Sequence, residues 1–262
     1  MKPYYSHAGI TIYHGDCREI LPTLQDAAAL ITDPVWPNAT AFPHIQNPTR
    51  LLSEVLEVWG LKSKRLVIHL GVDSDPRFLR AIPEYWPFLR VCWLRFARPS
   101  YKGRLLNGSE CAYIFGEPPQ TIDGKFLMSG ESRTGGEWSK RSQTEGEITN
   151  TASGQRTPGH PCPRRLQHLL WLVKWYGGGL VVDPFVGSGT TLEAAHRIGL
   201  PAIGIEIEEK YCAIAAKRLE QEVLDFNSNS EIDKMLATKT FGGLNGPMVA
   251  EQGTFLDEGK KG

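Results

Sequence analysis

Apolar and polar positions follow two periods along this chain, and the changes of period separate predicted strands from predicted helices. Short β-branched or apolar runs between turn residues predict strands, and apolar residues three and four positions apart predict helices. The predicted strands are residues 11–14, 28–32, 65–70, 91–96, 112–115, a run that begins at 181, and 202–206. The predicted helices are residues 18–24, 50–59, 163–176, 190–198 and 208–224. Because strands and helices alternate, the pattern predicts a doubly wound, mostly parallel α/β sheet.

Two segments depart from this pattern. Residues 117–159 are rich in Gly, Ser, Thr, Gln and charged side chains, and they show no clear period. Such a segment is either an insertion that orders on a partner or a long surface loop. Beyond residue 225 the chain is polar and glycine-rich, which predicts a helical turn near 232–236 and then a loose tail. The sequence therefore predicts one domain over residues 1–224, with the insertion inside it, and a polar C-terminal tail over 225–262.

Composition narrows the class of protein. The chain has 262 residues, of which 41% are hydrophobic, and this is enough for one substantial core. Lys and Arg number 29 and Asp and Glu number 29, so any attraction to nucleic acid must come from local charge. The 5 cysteines include no CxxC pair, which argues against a disulfide framework or a metal site. The scattered cysteines make a reducing cytoplasm the expected compartment. No apolar run has the length of a membrane span and Met1-Lys2-Pro3 does not open a signal peptide, so we expect no membrane partner.

The first chemical motif is the sequence VVDPFVGSGTT, in which an apolar run leads into a glycine turn and a helix. Gly187 and Gly189 remove Cβ atoms where the backbone turns, so that a ligand can lie close to it. The free N–H groups of the new helix, with the hydroxyls of Thr190 and Thr191, favour an anionic group. Glu206 ends the next predicted strand, 19 residues after Gly187. At that place a nucleoside-binding α/β fold hydrogen-bonds the ribose hydroxyls.

The second motif, Asp33-Pro34-Val35-Trp36, ends the strand predicted at 28–32, where open α/β sheets bind their ligands. Asp33 and the carbonyl of Pro34 offer two acceptors, and Trp36 offers a flat π surface. These groups suit a planar base with an exocyclic amine, and such stacking contributes ~1–3 kcal/mol per base. Accepting the hydrogens of such an amine while it attacks an electrophile stabilises the positive charge that develops on nitrogen. Asp33, Pro34 and Trp36 are therefore the predicted catalytic residues.

These two motifs resemble those of the β-class S-adenosylmethionine-dependent DNA amino-methyltransferases, and the resemblance covers roughly residues 9–222. The glycine turn is similar to motif I in its DPFxGSGTT form. DPVW is similar to motif IV (D/S-P-P-Y/F/W), which precedes motif I in this class. The resemblance implies a seven-stranded Rossmann-like methyltransferase fold, S-adenosyl-L-methionine as the cofactor, and methyl transfer to the amine of a flipped DNA base. DNA is thus the expected partner, and a homodimer stays open.

The resemblance also assigns residues to the cofactor. Gly15-Asp16-Cys17 is similar to the GD motif, whose acid approaches the adenine end of the donor, and GHPCP at 159–163 is similar to motif X, near its methionine part. Glu206 matches the ribose-binding acid and Phe185 an aromatic in contact with the cofactor, while Ser109-Glu110 resembles motif VIII. The expected cofactor-binding residues are Asp16, Cys17, His160, Asp183, Phe185, Gly187, Gly189, Thr190, Thr191 and Glu206.

One position departs from the family pattern, because Val35 stands where motif IV has its second proline. A proline restrains the residue before it, so this change leaves Pro34 less restrained. Pro37, which follows Trp36, restores some stiffness one step on. Reduced preorganisation is favoured over lost activity, and a non-catalytic DNA-binding relative of the same fold stays open.

Basic residues are concentrated in two stretches without acids, 90–104 and 148–182, and aromatic residues interleave in the first. Together they could line a positive face that contacts phosphates, with affinity that falls as salt rises. A solvated surface is the simpler alternative for either stretch alone. The expected nucleic-acid contacts are Arg95, Arg98, Lys102, Arg104, Arg164 and Arg165. The insertion 117–159 is the expected target-recognition region, and its short length favours a small site or help from a second protomer.

The substrate is left partly open. Adenine N6 is favoured because the motif opens with Asp rather than Ser, but this correlation is loose and cytosine N4 remains an alternative. RNA or a protein amide is a second enzyme hypothesis, although a protein amide would favour Asn at position 33. A small-molecule substrate is disfavoured because the catalytic motif precedes the cofactor motif. His69 and His168 are expected to be core or surface histidines.

Overall fold

A computed structural model describes residues 2–37, 45–71, 73–102, 104–122, 124, 131–133 and 164–223. The chain divides into a unit spanning residues 1–226 and a second spanning 227–262, and all described residues belong to the first. The predicted tail 225–262, its helical turn and most of the predicted insertion 117–159 lie outside the described residues. Their roles stay predictions.

The described residues form strands and helices in alternation. The strands are β1 (Tyr5–His7), β2 (Ile10–His14), β3 (Ala27–Thr32), β4 (Ser63–Gly71), β5 (Phe88–Lys102), β6 (Leu105–Gly116), β7 (Glu131–Arg133), β8 (Val181–Asp183) and β9 (Ala202–Glu206). The helices are α1 (Cys17–Ile20), α2 (Pro48–Trp59), α3 (Leu166–Tyr176), α4 (Thr190–Ile198) and α5 (Glu209–Val223). Short 3₁₀ turns cover Leu21–Thr23 and Pro76–Ala81. Within the described ranges, no helix combines the length and the apolar character needed to cross a membrane.

The strands make one sheet in the order β1-β2-β9-β8-β3-β4-β6-β5-β7. The neighbours from β2 to β4 are all parallel, and β6 runs antiparallel between β4 and β5. The predicted doubly wound, mostly parallel α/β fold is therefore confirmed. Among the described residues the sheet has nine strands, whereas the resemblance implied seven. The two additional strands, β1 and β7, have 3 residues each and lie at the edges, and a run this short shows no period in the sequence.

Helix α2 shows how the apolar pattern covers the sheet. Its N-terminus is capped by Asn47, whose side chain accepts the backbone N–H of Arg50, and Pro48 stands at the first position, where no N–H is needed. Its buried face packs with α1 and Pro76–Ala81 in one core cluster, through Leu52, Val55, Leu56 and Trp59. Helix α3 packs on α4, and the buried side chains of these two helices lie outside that cluster. Two separate apolar layers thus support the doubly wound sheet.

The strands predicted at residues 91–96 and 112–115 were predicted too short. Strand β5 continues to Lys102 and β6 begins at Leu105, and the two pair from Ser100 with Asn107 to Lys102 with Leu105. The pairing shifts register between Arg95 and Ser100. An irregularity of this kind interrupts the alternation of side chains. The alternating pattern in the sequence therefore ends before the strand ends.

One glycine flanks each end of α4, and substitution of each in turn tests how closely the helix packs on its neighbours. Gly189 before the helix and Gly199 after it have φ angles of 83° and 78°. A Cβ on Gly189 would lie 2.8 Å from the Cβ of Ala215 in α5, whereas a Cβ on Gly199 would meet nothing within 4 Å. Alanine at either position strains the backbone by about 1–2 kcal/mol, and only Gly189→Ala must also displace α5.

We therefore expect Gly189→Ala to lower the free energy of unfolding by about 1–3 kcal/mol more than Gly199→Ala does. Urea denaturation of both variants beside the unmodified protein measures the difference. Equal losses from the two substitutions would contradict the close approach of α4 and α5.

Candidate functional site

Four acidic residues meet at one edge of the sheet. Asp16 follows β2, Glu206 ends β9, Asp183 ends β8 and Asp33 follows β3. These strands are consecutive neighbours and all parallel, so their carboxyl ends lie side by side. The crevice at the carboxyl ends of parallel strands is where open α/β folds bind ligands. The sheet thus brings together residues that are far apart in sequence.

A cavity of about 320 Å³ joins the two predicted motifs. Residues 33–36 and residues 183–188 both line it. The other predicted cofactor residues in its wall are Asp16, Cys17, Thr190, Thr191 and Glu206. Gly189 is not in the wall, and His160 lies outside the described residues. The arrangement allows a donor at the glycine turn and an acceptor at Asp33 to share one enclosed space.

The Glu206 carboxylate is fixed by backbone donors. The N–H of Gly187 donates to Oε2 and the N–H of Glu208 donates to Oε1, each at 2.9 Å. Burial raises the pKa of Glu206, although these N–H groups oppose that effect. A carboxylate oxygen accepts more than one hydrogen bond, so Glu206 retains acceptor capacity toward the cavity. This fits the two hydroxyls of a ribose.

Asp183 holds the turn that follows β8. Its Oδ1 accepts the hydroxyl of Thr32 at 2.7 Å and the backbone N–H of Phe185 at 3.0 Å. Burial raises the pKa of Asp183 to about 6, although hydrogen bonds from Thr32 and Thr191 act against it. Asp183 therefore lines the cavity while its polar contacts are made within the protein.

The hydroxyls of the two predicted anion-binding threonines also have protein partners. Thr191 hydrogen-bonds Asp183. Thr190 accepts Nη1 of Arg218 at 2.9 Å, and the same guanidinium pairs with buried Glu193. The hydroxyls thus stabilise the start of α4. Sequence reasoning missed Arg218, because it follows the motif by a helix and a strand.

Asp16 and Cys17 form the start of α1 at the cavity wall. Asp16 caps the helix by accepting the N–H of Arg18 at 2.8 Å, and the Arg18 side chain pairs with it at 2.6 Å. The hydrogen bond from Arg18 lowers the pKa of Asp16. Burial raises the pKa of the Cys17 thiol to about 12, so Cys17 stays neutral and serves as apolar lining.

Arg164 forms a bidentate ion pair with the carboxylate of Asp33. Its Nε donates to Oδ2 at 2.5 Å, its Nη2 donates to Oδ1 at 2.7 Å, and its Nη1 donates to Oε1 of Glu110 at 2.7 Å. The guanidinium carbon lies 4.8 Å from the centroid of the Trp36 ring. Burial acts to lower the pKa of Arg164, but the two carboxylates raise it above its ordinary value. Arg164 thus joins both parts of the predicted acceptor motif.

Glu110 extends this network into the core. Its Oε2 accepts Nε2 of His69 at 3.1 Å and Nδ1 of His168 at 3.0 Å, and both imidazoles are fully buried. Burial acts to raise the pKa of Glu110, but Arg164 and the histidines hold it well below its usual range. Among the described residues, these three side chains could together ligate a metal ion. Arg164 already supplies a cation to Glu110, so the geometry fits a hydrogen-bonded network better.

This network was not predicted from the sequence. His69 and His168 were expected in the core or on the surface, and only the similarity of Ser109-Glu110 to motif VIII pointed to the site. The expected phosphate contact of Arg164 does not fit its position, because the side chain is 11% exposed and bound to two carboxylates.

The other expected nucleic-acid residues are placed differently from one another. Arg165 stacks on Phe96, with its guanidinium carbon 3.8 Å from the ring centroid. Arg95 and Arg104 are exposed. The side chains of Arg98 and Lys102 are outside the described part of the structure. The exposure of Arg95 and Arg104 thus distinguishes them from Arg164, whose side chain is largely buried.

Comparison with known proteins identifies the class. A family model described as DNA methylase matches residues 55–217. The type II methyltransferase M.ScaI of Streptomyces caespitosus is 52% identical over 264 aligned residues, which cover 84% of this chain and 84% of that protein. The type II methyltransferase M.HinfI of Haemophilus influenzae is 32% identical, and the match covers 66% of this chain and 48% of that protein.

Solved structures show the same fold. The M1.HpyAVI complex with S-adenosylmethionine has a TM-score of 0.55 at 19% identity, covering 80% of this chain and 99% of that one. The PvuII DNA methyltransferase, described as cytosine-N4-specific, has a TM-score of 0.58 at 18% identity, covering 89% and 93%. The fold and the cavity define an S-adenosylmethionine-dependent methyltransferase. The chain belongs to the DNA methylase family of amino-methyltransferases.

The raised pKa of Asp183 gives a test of its burial. The folded protein binds a proton at Asp183 with a pKa of about 6, against 3.8 for an ordinary Asp, so it holds more protons than the unfolded chain between these pH values. The stability that this protonated carboxyl contributes is complete below about pH 4 and is lost as pH rises through about 6.

The quantity to measure is the difference in the free energy of unfolding between the unmodified protein and Asp183→Asn. We expect this difference to fall by about 2–3 kcal/mol between pH 4 and pH 7. Urea denaturation of both proteins at a series of pH values measures it, and titrating groups that do not interact with Asp183 cancel in the difference. A difference that does not change with pH would contradict a desolvated Asp183.

Proposed function

We propose that this protein transfers a methyl group from S-adenosylmethionine to the exocyclic amine of a DNA base that has left the helical stack, with adenine N6 favoured. The observation that supports this most directly is the shared cavity, which residues 33–36 line together with residues 183–188. When bound at the glycine turn, the donor supplies an electrophilic methyl group on a sulfonium.

The residues of the second motif bind and orient the amine. Asp33 and the carbonyl of Pro34 accept its two N–H groups, which favours a tetrahedral nitrogen whose lone pair is available for attack. The negative charge of Asp33 then stabilises the positive charge that develops on that nitrogen, and the effect is strong because the site excludes much of the water. Trp36 is only partly buried and can stack on the base from one side.

A base inside a duplex cannot reach this cavity. Methyl transfer therefore requires the base to unstack and unpair, which costs a few kcal/mol before contacts in the pocket offset it. We propose that Arg95 and Arg104 contact phosphates, which their exposure allows, and the segment 117–159 remains the proposed target-recognition region. Binding should then weaken as salt increases.

Cytosine N4 is the alternative target. Its amine carries the same two N–H donors, so Asp33 and Pro34 would serve it equally well. The experiment that decides is single-molecule sequencing of DNA from cells that express the protein, since it reports the modified base, its position and its context together. Cells that express Asp33→Ala are the control, and unmodified amines in both samples would contradict the proposal.

Substitution of Asp33 tests its role in the reaction. We expect Asp33→Ala to reduce methyl transfer about 10³-fold or more, because the developing charge loses its partner. Binding of S-adenosylmethionine should persist, since Gly187 and Glu206 are unchanged. Tritium transfer to unmethylated plasmid DNA and titration calorimetry measure the two effects.

Asp26→Ala is the matched control, because Asp26 precedes β3 at the opposite end of the same strand and is exposed. It should leave both properties unchanged. Activity that survives Asp33→Ala would remove Asp33 from the reaction.

A further inference from the structure

The guanidinium of Arg164 makes the contacts that the proposed function assigns to the target base. It donates to both oxygens of Asp33, at 2.5 Å and 2.7 Å, and its carbon lies 4.8 Å from the centroid of the Trp36 ring. A guanidinium is planar, carries its donors along one edge and stacks on aromatic rings. An amino-bearing base is also planar, with N–H donors at its edge and a π face. Arg164 therefore occupies the acceptor and the stacking surface that such a base needs.

These contacts conflict with methyl transfer. The amine becomes positively charged as it attacks the methyl group, and a guanidinium on the same carboxylate would oppose that charge. The side chains of Arg164 and Asp33 are only 11% and 24% exposed, so solvent screens this repulsion weakly. Entry of the base and stabilisation of the developing charge both require Arg164 to leave Asp33.

Glu110 provides a partner for Arg164 after it has left. The Nη1 atom already donates to Oε1 of Glu110 at 2.7 Å, and this contact does not involve Asp33. The other oxygen of Glu110 is fixed by buried His69 and His168. Arg164 can therefore turn its Nε edge away from Asp33 and keep an ion pair, which avoids the high cost of an unpaired buried charge.

We propose that Arg164 is a specificity-determining residue that occupies the target-base position of the free protein and is displaced from Asp33 by the amine of the base. This role rests on the proposed function. When Arg164 leaves, Asp33 loses its N–H donors and Trp36 loses its stacking partner. Only a base with an exocyclic amine replaces both contacts. Thymine has no exocyclic amine and would leave the Asp33 carboxylate unpaired, so Arg164 makes its entry unfavourable.

The variant Arg164→Lys tests this role, because lysine keeps the positive charge but lacks the planar fork that binds both carboxylate oxygens. We expect its KM for unmethylated plasmid DNA to fall about fivefold or more, since the apparent affinity rises with the fraction of free protein whose site is open. Its kcat should not fall. Arg77→Lys, at an exposed pair with Asp75, is the matched control and should change neither constant.

A lower kcat for Arg164→Lys at unchanged KM would overturn the proposal, because it would mean that Arg164 only orients Asp33. If neither the unmodified protein nor Arg77→Lys transferred methyl groups to any DNA, the proposed function would fail and this role with it. Transfer by both, with no decrease in KM for Arg164→Lys, contradicts the role of Arg164 alone.

A binding measurement separates displacement from a general effect on DNA affinity. Two duplexes carry the site found by sequencing, one with the target base and one with an abasic analogue at its position. Arg164→Lys should bind the intact duplex about fivefold or more tightly than the unmodified protein does, whereas both should bind the abasic duplex equally. An abasic duplex brings no amine to displace Arg164. Equal changes for the two duplexes would overturn the proposal.

Discussion

The parallel alignment of β2, β9, β8 and β3 places four carboxylates at one edge of the sheet, and the site depends on how their repulsion is relieved. A different set of contacts stabilises each acid. Asp16 pairs with the adjacent Arg18, Glu206 accepts backbone N–H groups, Asp183 is buried among hydroxyl donors, and Asp33 binds Arg164. The repulsion is still present, since the charge of Asp33 adds to the causes that raise the pKa of Asp183. Negative charge is thus concentrated where the proposed function places a sulfonium and an attacking amine.

Local signals predicted much of this arrangement. The apolar runs that end at Asp33, Asp183 and Glu206 give the strand ends directly, and alternation with helices implies that parallel strands end at one edge. The two motifs are far apart in the sequence but line the same cavity, because the strands that precede them, β3 and β8, are neighbours in the sheet. Sequence reasoning could therefore bring the glycine turn and the DPVW turn together before any distance was known.

Contacts between distant side chains could not be predicted in this way. Arg164 and Asp33 are 131 residues apart, and Arg164 and Glu110 are 54 apart, so no local period relates them. Arg164 lies in a basic stretch without acids, residues 148–182, and the expectation of a phosphate contact rests on that pattern. Its burial follows from the sheet, in which only β4 separates β3, which Asp33 follows, from β6, which contains Glu110, so that both carboxylates reach one buried guanidinium.

The contact between Arg218 and the start of α4 has a consequence for the boundaries of the protein. This arginine binds both Thr190 and Glu193, so the helix that follows the last strand is anchored beside the glycine turn. Shortening the chain to a point before Arg218 would leave the Thr190 hydroxyl without this donor and would weaken the support of the glycine turn. Helix α5 is therefore an integral part of the folded unit, and a minimal version of the protein has to retain it.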